Sequence, residues 1–197
     1  MLAKTVEFFF DVGSPASYLA WTQLPALCAA AGAPLAYRPM LLGAVFQATG
    51  NASPAAVPAK GRYVNEDLAR HARRYGVPFA PNPHFPIITL TLMRAVVGIQ
   101  STQPSLFERL LHTLFRALWV DALDLNDRRV VAEVLAAGGF ESALIDTLAA
   151  DPAVKEALRS TTDEAVQRGV FGAPSIFVGD LMFFGQDRLD FVREALG

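Results

Sequence analysis

Thr5-Val6-Glu7-Phe8-Phe9-Phe10-Asp11-Val12-Gly13-Ser14-Pro15 changes character twice within a few residues. The run Thr5 to Phe10 is aromatic and β-branched and reads as a short buried strand. Asp11-Val12-Gly13 reads as a turn. Ser14-Pro15 then reads as a helix start. Serine suits the N-cap, and proline suits the first helical position, where no N–H is missed. Trp21, Leu24 and Cys28 follow on one apolar stripe. Pro25 should kink this helix and Gly32 should end it. Leu35-Ala36-Tyr37-Arg38-Pro39 reads as a second strand. Strand, helix and returning strand make a βαβ unit, for which a parallel pair and a right-handed crossover are expected.

The other end of the chain is β again. Ser175-Ile176-Phe177-Val178 and Leu181-Met182-Phe183-Phe184 flank the two-residue connection Gly179-Asp180, a hairpin pattern. Asp187 should cap a last helix carrying Leu189, Val192 and Leu196 on one face. Between the two ends the chain is mostly helical. Residues 43–59, rich in glycine, alanine, proline and asparagine, read as a loop. Residues 60–75 place Val64, Leu68, Ala72 and Tyr75 on one helical face, stopped by Gly76 and Pro78. A proline-rich loop follows through Pro86. Residues 87–98 alternate like a strand at Ile88, Leu90 and Leu92, yet keep helical spacing at Leu92, Val96 and Ile99; helix is the expectation. Leu106, Leu110, Leu114 and Leu118 mark another helix. Residues 127–137 and 141–149 form two short ones around Gly138-Gly139, and Asp151-Pro152 starts a helix to about Arg168. The order is βαβ, a block of helices, then ββα.

Composition narrows the function. A chain of 197 residues that is 52% hydrophobic and 18% charged can bury enough surface to offset its ordering entropy, which excludes disorder. With 17 basic and 19 acidic residues the net charge is -2, so no overall field favours nucleic acid. One cysteine, Cys28, excludes an intramolecular disulfide, a CxxC redox pair and a cysteine-rich zinc site, and suits a reducing compartment. His71, His84 and His112 have no paired spacing, so no metal is expected. Residues 12–37 carry no formal charge, a span long enough for a bilayer. Pro15, Pro25 and Pro34 interrupt it, as do Ser14, Ser17, Thr22 and Gln23, so it reads as core rather than membrane. Lys4, Glu7 and Asp11 break any signal-peptide apolar region. A cytoplasmic address without a membrane partner is the expectation.

The βαβ and ββα halves resemble the two halves of a thioredoxin fold, and the helices between them resemble the insertion of the disulfide-oxidoreductase (DsbA-like) branch. Three stretches sharpen the likeness. One is Phe8-Phe9-Phe10-Asp11-Val12-Gly13-Ser14-Pro15-Ala16-Ser17-Tyr18-Leu19-Ala20. A second is Val170-Phe171-Gly172-Ala173-Pro174-Ser175-Ile176-Phe177-Val178-Gly179-Asp180, continuing from Phe183 through Leu189. The third is Lys60-Gly61-Arg62-Tyr63 with Asp67, Arg70 and Tyr75-Gly76-Val77-Pro78. Together they look like the 2-hydroxychromene-2-carboxylate isomerases and their relatives, the kappa-class glutathione transferases. The likeness implies an α/β, thioredoxin-like fold with an inserted all-helical domain. Residues 1–42 plus 169–197 would form the thioredoxin-like domain, and 43–168 the insertion. It also implies glutathione as cofactor, a small aromatic carboxylate as substrate, and a homodimer.

Site residues follow on the same terms. Ser14 stands where a redox relative would place its first catalytic cysteine. A serine there cannot exchange disulfides, but its hydroxyl can donate to a thiolate at a helix N-terminus. That would lower the pKa of a bound thiol by a unit or more, on the order of 1–3 kcal/mol. Read alone, Ser14 is simply a good N-cap. Ala173-Pro174 resembles the cis-proline site, whose preceding N–H and C=O pair with the cysteinyl backbone of glutathione. Phe184, Gly185, Gln186 and Asp187 would hold the γ-glutamyl end. Asn51 and Lys60, in or beside the long loop, would contact glutathione or the substrate carboxylate. His84 either faces the substrate cleft or serves its own loop. Trp119 and Phe115 read as packing of the helical block, although the cleft between the two lobes needs apolar walls for an aromatic substrate, and Cys28 reads as inert core. The implied activity is glutathione-dependent interconversion of 2-hydroxychromene-2-carboxylate, or a similar acid, with trans-o-hydroxybenzylidenepyruvate. A kappa-like transferase or peroxidase is the alternative, and a non-catalytic binding module a third.

Overall fold

A computed structural model describes residues 4–197. In chain order the elements are β1 (Val6–Phe10), α1 (Pro15–Ala30), β2 (Leu35–Pro39), α2 (Leu42–Thr49), α3 (Pro58–Tyr75), α4 (Leu90–Thr102) and α5 (Phe107–Trp119). They continue with α6 (Arg128–Ala137), α7 (Ser142–Ala150), α8 (Pro152–Gln167), β3 (Ser175–Val178), β4 (Leu181–Phe184) and α9 (Leu189–Leu196). The strands form one mixed sheet in the order β2-β1-β3-β4. As expected, β1 and β2 run parallel, with Phe8 opposite Tyr37, and β3 and β4 form an antiparallel hairpin. The hairpin joins the first half by antiparallel pairing of β3 with β1.

The two-residue period of β1 sorts its side chains to two faces. Val6, Phe8 and Phe10 enter the larger core with Leu19 and Leu24 of α1, Met93 of α4 and Leu110, Leu114 and Phe115 of α5. Phe9 enters a smaller core on the opposite face, with Met40, Val45, Ala165, Val170 and Phe177. Glu7 shares that second face. Its carboxylate takes Arg168 Nη2 at 2.7 Å, Arg38 lies beside it, and both arginines also pair with Glu164. The Arg168 guanidinium lies over the Phe177 ring, 3.9 Å from its centroid. These arginines hold the Glu7 carboxyl below its ordinary range.

Two helix starts form as read. Ser14 caps α1 and Asp151 caps α8, each side chain accepting a backbone N–H of the first turn. Helix α1 passes through Pro25 as one element. The ambiguous stretch at 87–98 is helical from Leu90. Two expectations are corrected. Residues 43–59 are not a loop: α2 fills the first part, a 3-10 turn covers Pro54–Ala56, and α3 already begins at Pro58. The alanines there are good helix formers, Val45 is buried against α8's core residues, and left-handed Gly50 (φ 68°) ends α2. Asp187 does not cap the last helix. A 3-10 turn, Gln186–Arg188, comes first, and the Asp187 carboxylate takes the neighbouring Arg188 guanidinium instead. No helix among the described residues is long and apolar enough to cross a membrane.

Candidate active site

A cavity of about 670 Å³ opens where the start of α1, the α2–α3 connection, the 82–89 segment and the two ends of the β3–β4 hairpin converge. Ser14 is on its wall, 4% exposed. Its Oγ accepts the Ser17 N–H at 3.1 Å and donates to the Ala173 carbonyl at 3.0 Å. The amide ledger of this helix end is short. Pro15 has no N–H, Ser17 donates to Ser14 Oγ, and Tyr18 donates to Ser14 O. Ala16, also on the wall, is left as the first-turn amide without a partner among the described residues. No acidic side chain sits in the first turn to offset its positive end.

Facing Ser14 is the Ala173–Pro174 bond, which is cis as the resemblance implied. The Ala173 N–H has no partner among the described residues, and the Pro174 carbonyl accepts the Gly185 N–H at 3.0 Å. That bond ties the proline segment to the Gly185–Arg188 segment, all of which lines the cavity. Phe184 lies over Gly172 so closely that a Cβ there would meet its ring at 2.7 Å. The Phe171 and Phe184 rings pack together, with centroids 4.6 Å apart, at the cavity edge. Asn51 pins this edge by donating from Nδ2 to the Phe171 carbonyl at 2.8 Å. Tyr75 Oη donates to the Gln186 carbonyl at 2.6 Å and holds the 3-10 turn from α3.

At the other end the wall is aromatic. Trp119 donates from Nε1 to the Val12 carbonyl at 2.8 Å and packs near Phe85, while Asn82 spends its side-chain amide on the Leu118 and Leu123 carbonyls. A second cis bond, Phe85–Pro86, shapes this segment. Beneath Ser14 lies Asp11, 1% exposed. Burial raises its pKa, against the hydrogen bonds it receives from Gly13, Leu42 and Thr89.

The structure therefore gathers Ser14, Asn51, Ala173, Phe184, Gly185, Gln186 and Asp187 around one cavity; Pro174, joined to Ala173 by the cis bond, is not on its wall. Lys60 and His84 are not on its wall. Because α3 starts at Pro58, Lys60 is turned to solvent while Gly61, Val64 and Leu68 face inward. His84 is half-exposed, with Nδ1 3.5 Å from an Asp124 oxygen, although its neighbours Phe85 and Pro86 do line the cavity. Sequence reasoning missed Asp11, Thr89 and Asn82, and favoured packing over ligand contact for Trp119. Tyr63 and Asp67, also on the wall, stood in the third matching stretch without an assigned role. Cys28 is 2% exposed in the core, and burial pushes its thiol pKa up.

Comparison with known proteins places the fold in a family. Residues 5–197 match the family model of the DSBA-like thioredoxin domain. The chain is 32% identical over 200 residues to 2-hydroxychromene-2-carboxylate isomerase of Sphingobium xenophagum, covering 99% of each. It is 27% identical over 207 residues to glutathione S-transferase kappa 1 of Rattus norvegicus, covering 98% of this chain and 91% of that one. A solved structure of 2-hydroxychromene-2-carboxylate isomerase superimposes with a TM-score of 0.84 at 28% identity, covering 98% of this chain and 94% of the other.

Proposed function

Because the chain belongs to the DSBA-like thioredoxin domain family, in the branch of the 2-hydroxychromene-2-carboxylate isomerases and kappa-class glutathione transferases, we propose that it is a glutathione-dependent isomerase. Its reaction is the interconversion of 2-hydroxychromene-2-carboxylate, or a closely similar acid, with trans-o-hydroxybenzylidenepyruvate. One observation carries the reading: a buried serine hydroxyl caps α1 beside a cis-proline, on the wall of a cavity that contains no cysteine.

The residues present fit glutathione. The Ala173 N–H, without a partner among the described residues, and the adjoining carbonyl suit a peptide backbone lying alongside in extended form. The Asp187 carboxylate suits an ammonium group, and Arg188 is the cation on the wall that a carboxylate would meet. A volume of about 670 Å³ falls within the usual range for small-molecule sites, and its Trp119–Phe85 end offers flat apolar walls to an aromatic ring.

When bound, glutathione supplies the nucleophilic sulfur, whose transient addition to the conjugated acid permits ring opening, rotation and release of the unchanged thiol. The chain's part is to keep that sulfur anionic. The Ser14 hydroxyl turns from the Ala173 carbonyl to the sulfur, and a hydrogen bond to an anion is roughly twice as strong as a neutral one. The Ala16 N–H and the positive end of α1 add to it. Asn51 keeps Phe171, and with it the cavity edge, in place.

The similarity to kappa-class transferases favours a second reading in which glutathione is consumed. Incubation with the chromene acid and substoichiometric glutathione separates the two. Many turnovers per glutathione support the isomerase. Conjugation that stops when glutathione is exhausted supports the transferase. No reaction and no glutathione binding would discard both.

A further inference from the structure

We propose that Asp11 is a positioning residue for Ser14: its carboxylate fastens three separate segments of the cavity wall and so fixes where the hydroxyl stands. The role rests on the reading of Ser14 given above.

The fastening is read from four bonds. Asp11 Oδ1 accepts the Gly13 N–H at 2.9 Å. Oδ2 accepts the Leu42 N–H at 2.9 Å and the Thr89 hydroxyl at 3.0 Å. The Asp11 backbone carbonyl accepts the Ser14 N–H at 3.0 Å. Gly13 and Ser14 lead into α1, Leu42 begins α2, and Thr89 precedes α4; all four line the same cavity. Among the described residues no other side chain joins α1, α2 and α4 through hydrogen bonds.

A carboxylate suits this joint and few other groups do. It is acceptor-only, so one side chain takes two amides and a hydroxyl at once. Asparagine offers a single oxygen and would turn an N–H toward the Leu42 or Gly13 amide. Burying a carboxylate costs free energy unless it is well hydrogen-bonded, and here its bonds all point at the wall of the site. The packing leaves little slack. A Cβ at Gly13 would meet Thr89 Cγ2 at 2.7 Å and Asp11 Oδ1 at 3.4 Å. A shift of the Thr89 segment or of α2 therefore reaches the Ser14 turn directly.

Two substitutions at Thr89 separate hydrogen bonding from packing. Thr89→Val keeps the branched shape and removes the hydroxyl. Thr89→Ser keeps the hydroxyl and removes the methyl that lies over Gly13. The readouts are glutathione affinity by calorimetry, the ultraviolet absorbance of the bound thiolate as a function of pH, and kcat. For Thr89→Val we expect kcat to fall about tenfold, the bound thiol's pKa to rise, and glutathione affinity to change by less than about threefold. Thr89→Ser should stay within about twofold of the parent in all three. Asp11→Asn should lower kcat at least as far as Thr89→Val; if it does not fold, the Thr89 pair decides.

A normal Thr89→Val with an impaired Thr89→Ser would overturn the proposal in favour of packing. So would a parent-like kcat and thiol pKa in both Thr89→Val and Asp11→Asn. If the parent protein itself shows no bound thiolate, the glutathione reading fails, and the role of Asp11 falls with it. A parent thiolate signal with unaffected variants removes only the role of Asp11.

Discussion

The oxygen at position 14 serves the fold and the chemistry at once, and Ser14→Ala separates the two. As a cap it accepts one amide, so its loss should cost about 0.5–2 kcal/mol of stability, read from a denaturant midpoint. As a donor it is the proposed partner of the sulfur, so thiol-dependent turnover should fall about tenfold or more. Unchanged turnover in the folded variant would remove the serine from the mechanism. Cys28 gives a contrasting expectation. Buried and with its thiol pKa raised, it should resist a disulfide reagent in the native protein and react once the chain is unfolded. Rapid labelling under native conditions would contradict the core placement. At this scale the sequence showed what is local. The Ser14 cap and the Ala173–Pro174 bond lie within contiguous motifs. Asp11 looked like a turn residue because its partners Leu42 and Thr89 are 31 and 78 positions away. Lys60 lies off the wall for a related reason: its direction depends on where α3 begins.

Strands β1 to β4 and helices α1, α3, α5 and α8 were legible from local signals: residue type and turn residues for the strands, the Ser14 and Asp151 caps for α1 and α8, and apolar spacing for α3 and α5. Helix α2 was not, since alanine, glycine and proline in one stretch read as punctuation, and what holds α2 is burial against α8 rather than its own pattern. Asp187 was assigned to the last helix by its residue type, whereas its arginine neighbour and an intervening 3-10 turn set its partner. Close helix packing was equally invisible. Gly98 lets α4 approach α7 until a Cβ there would stand 2.8 Å from Leu148 Cβ. Helix propensity alone would make Gly98→Ala stabilising by up to about 1 kcal/mol. Overpacking costs about 1–3 kcal/mol, so the net effect should be destabilising. Thermal or urea unfolding measures the sign. A plain gain in stability would show that the two helices can separate without cost.

Across the molecule, the second face of the sheet sets the response to acid. Glu7 is held below its ordinary value of 4.5, chiefly by its hydrogen bond to Arg168. Its contribution is therefore complete above 4.5 and is lost as the pH falls from there through the lower folded value. Asp11 has the opposite sign: burial raises it above its ordinary 3.8, so the cost of ionising it grows as the pH rises from there through the higher folded value and is relieved on acidification. Urea midpoints followed from neutral pH downward should thus decline with a limb that Glu7→Gln flattens. An identical limb in the variant would assign acid sensitivity to other carboxylates.

The larger core has a wider meaning. Phe8 and Phe10 of the sheet share one apolar cluster with Leu110, Leu114 and Phe115 of the helices between the halves. Those helices cannot be a removable lid on an otherwise self-sufficient scaffold. Trimming them away would strip the central strand of its cover, and the remainder would be expected to clump rather than persist as a smaller working protein.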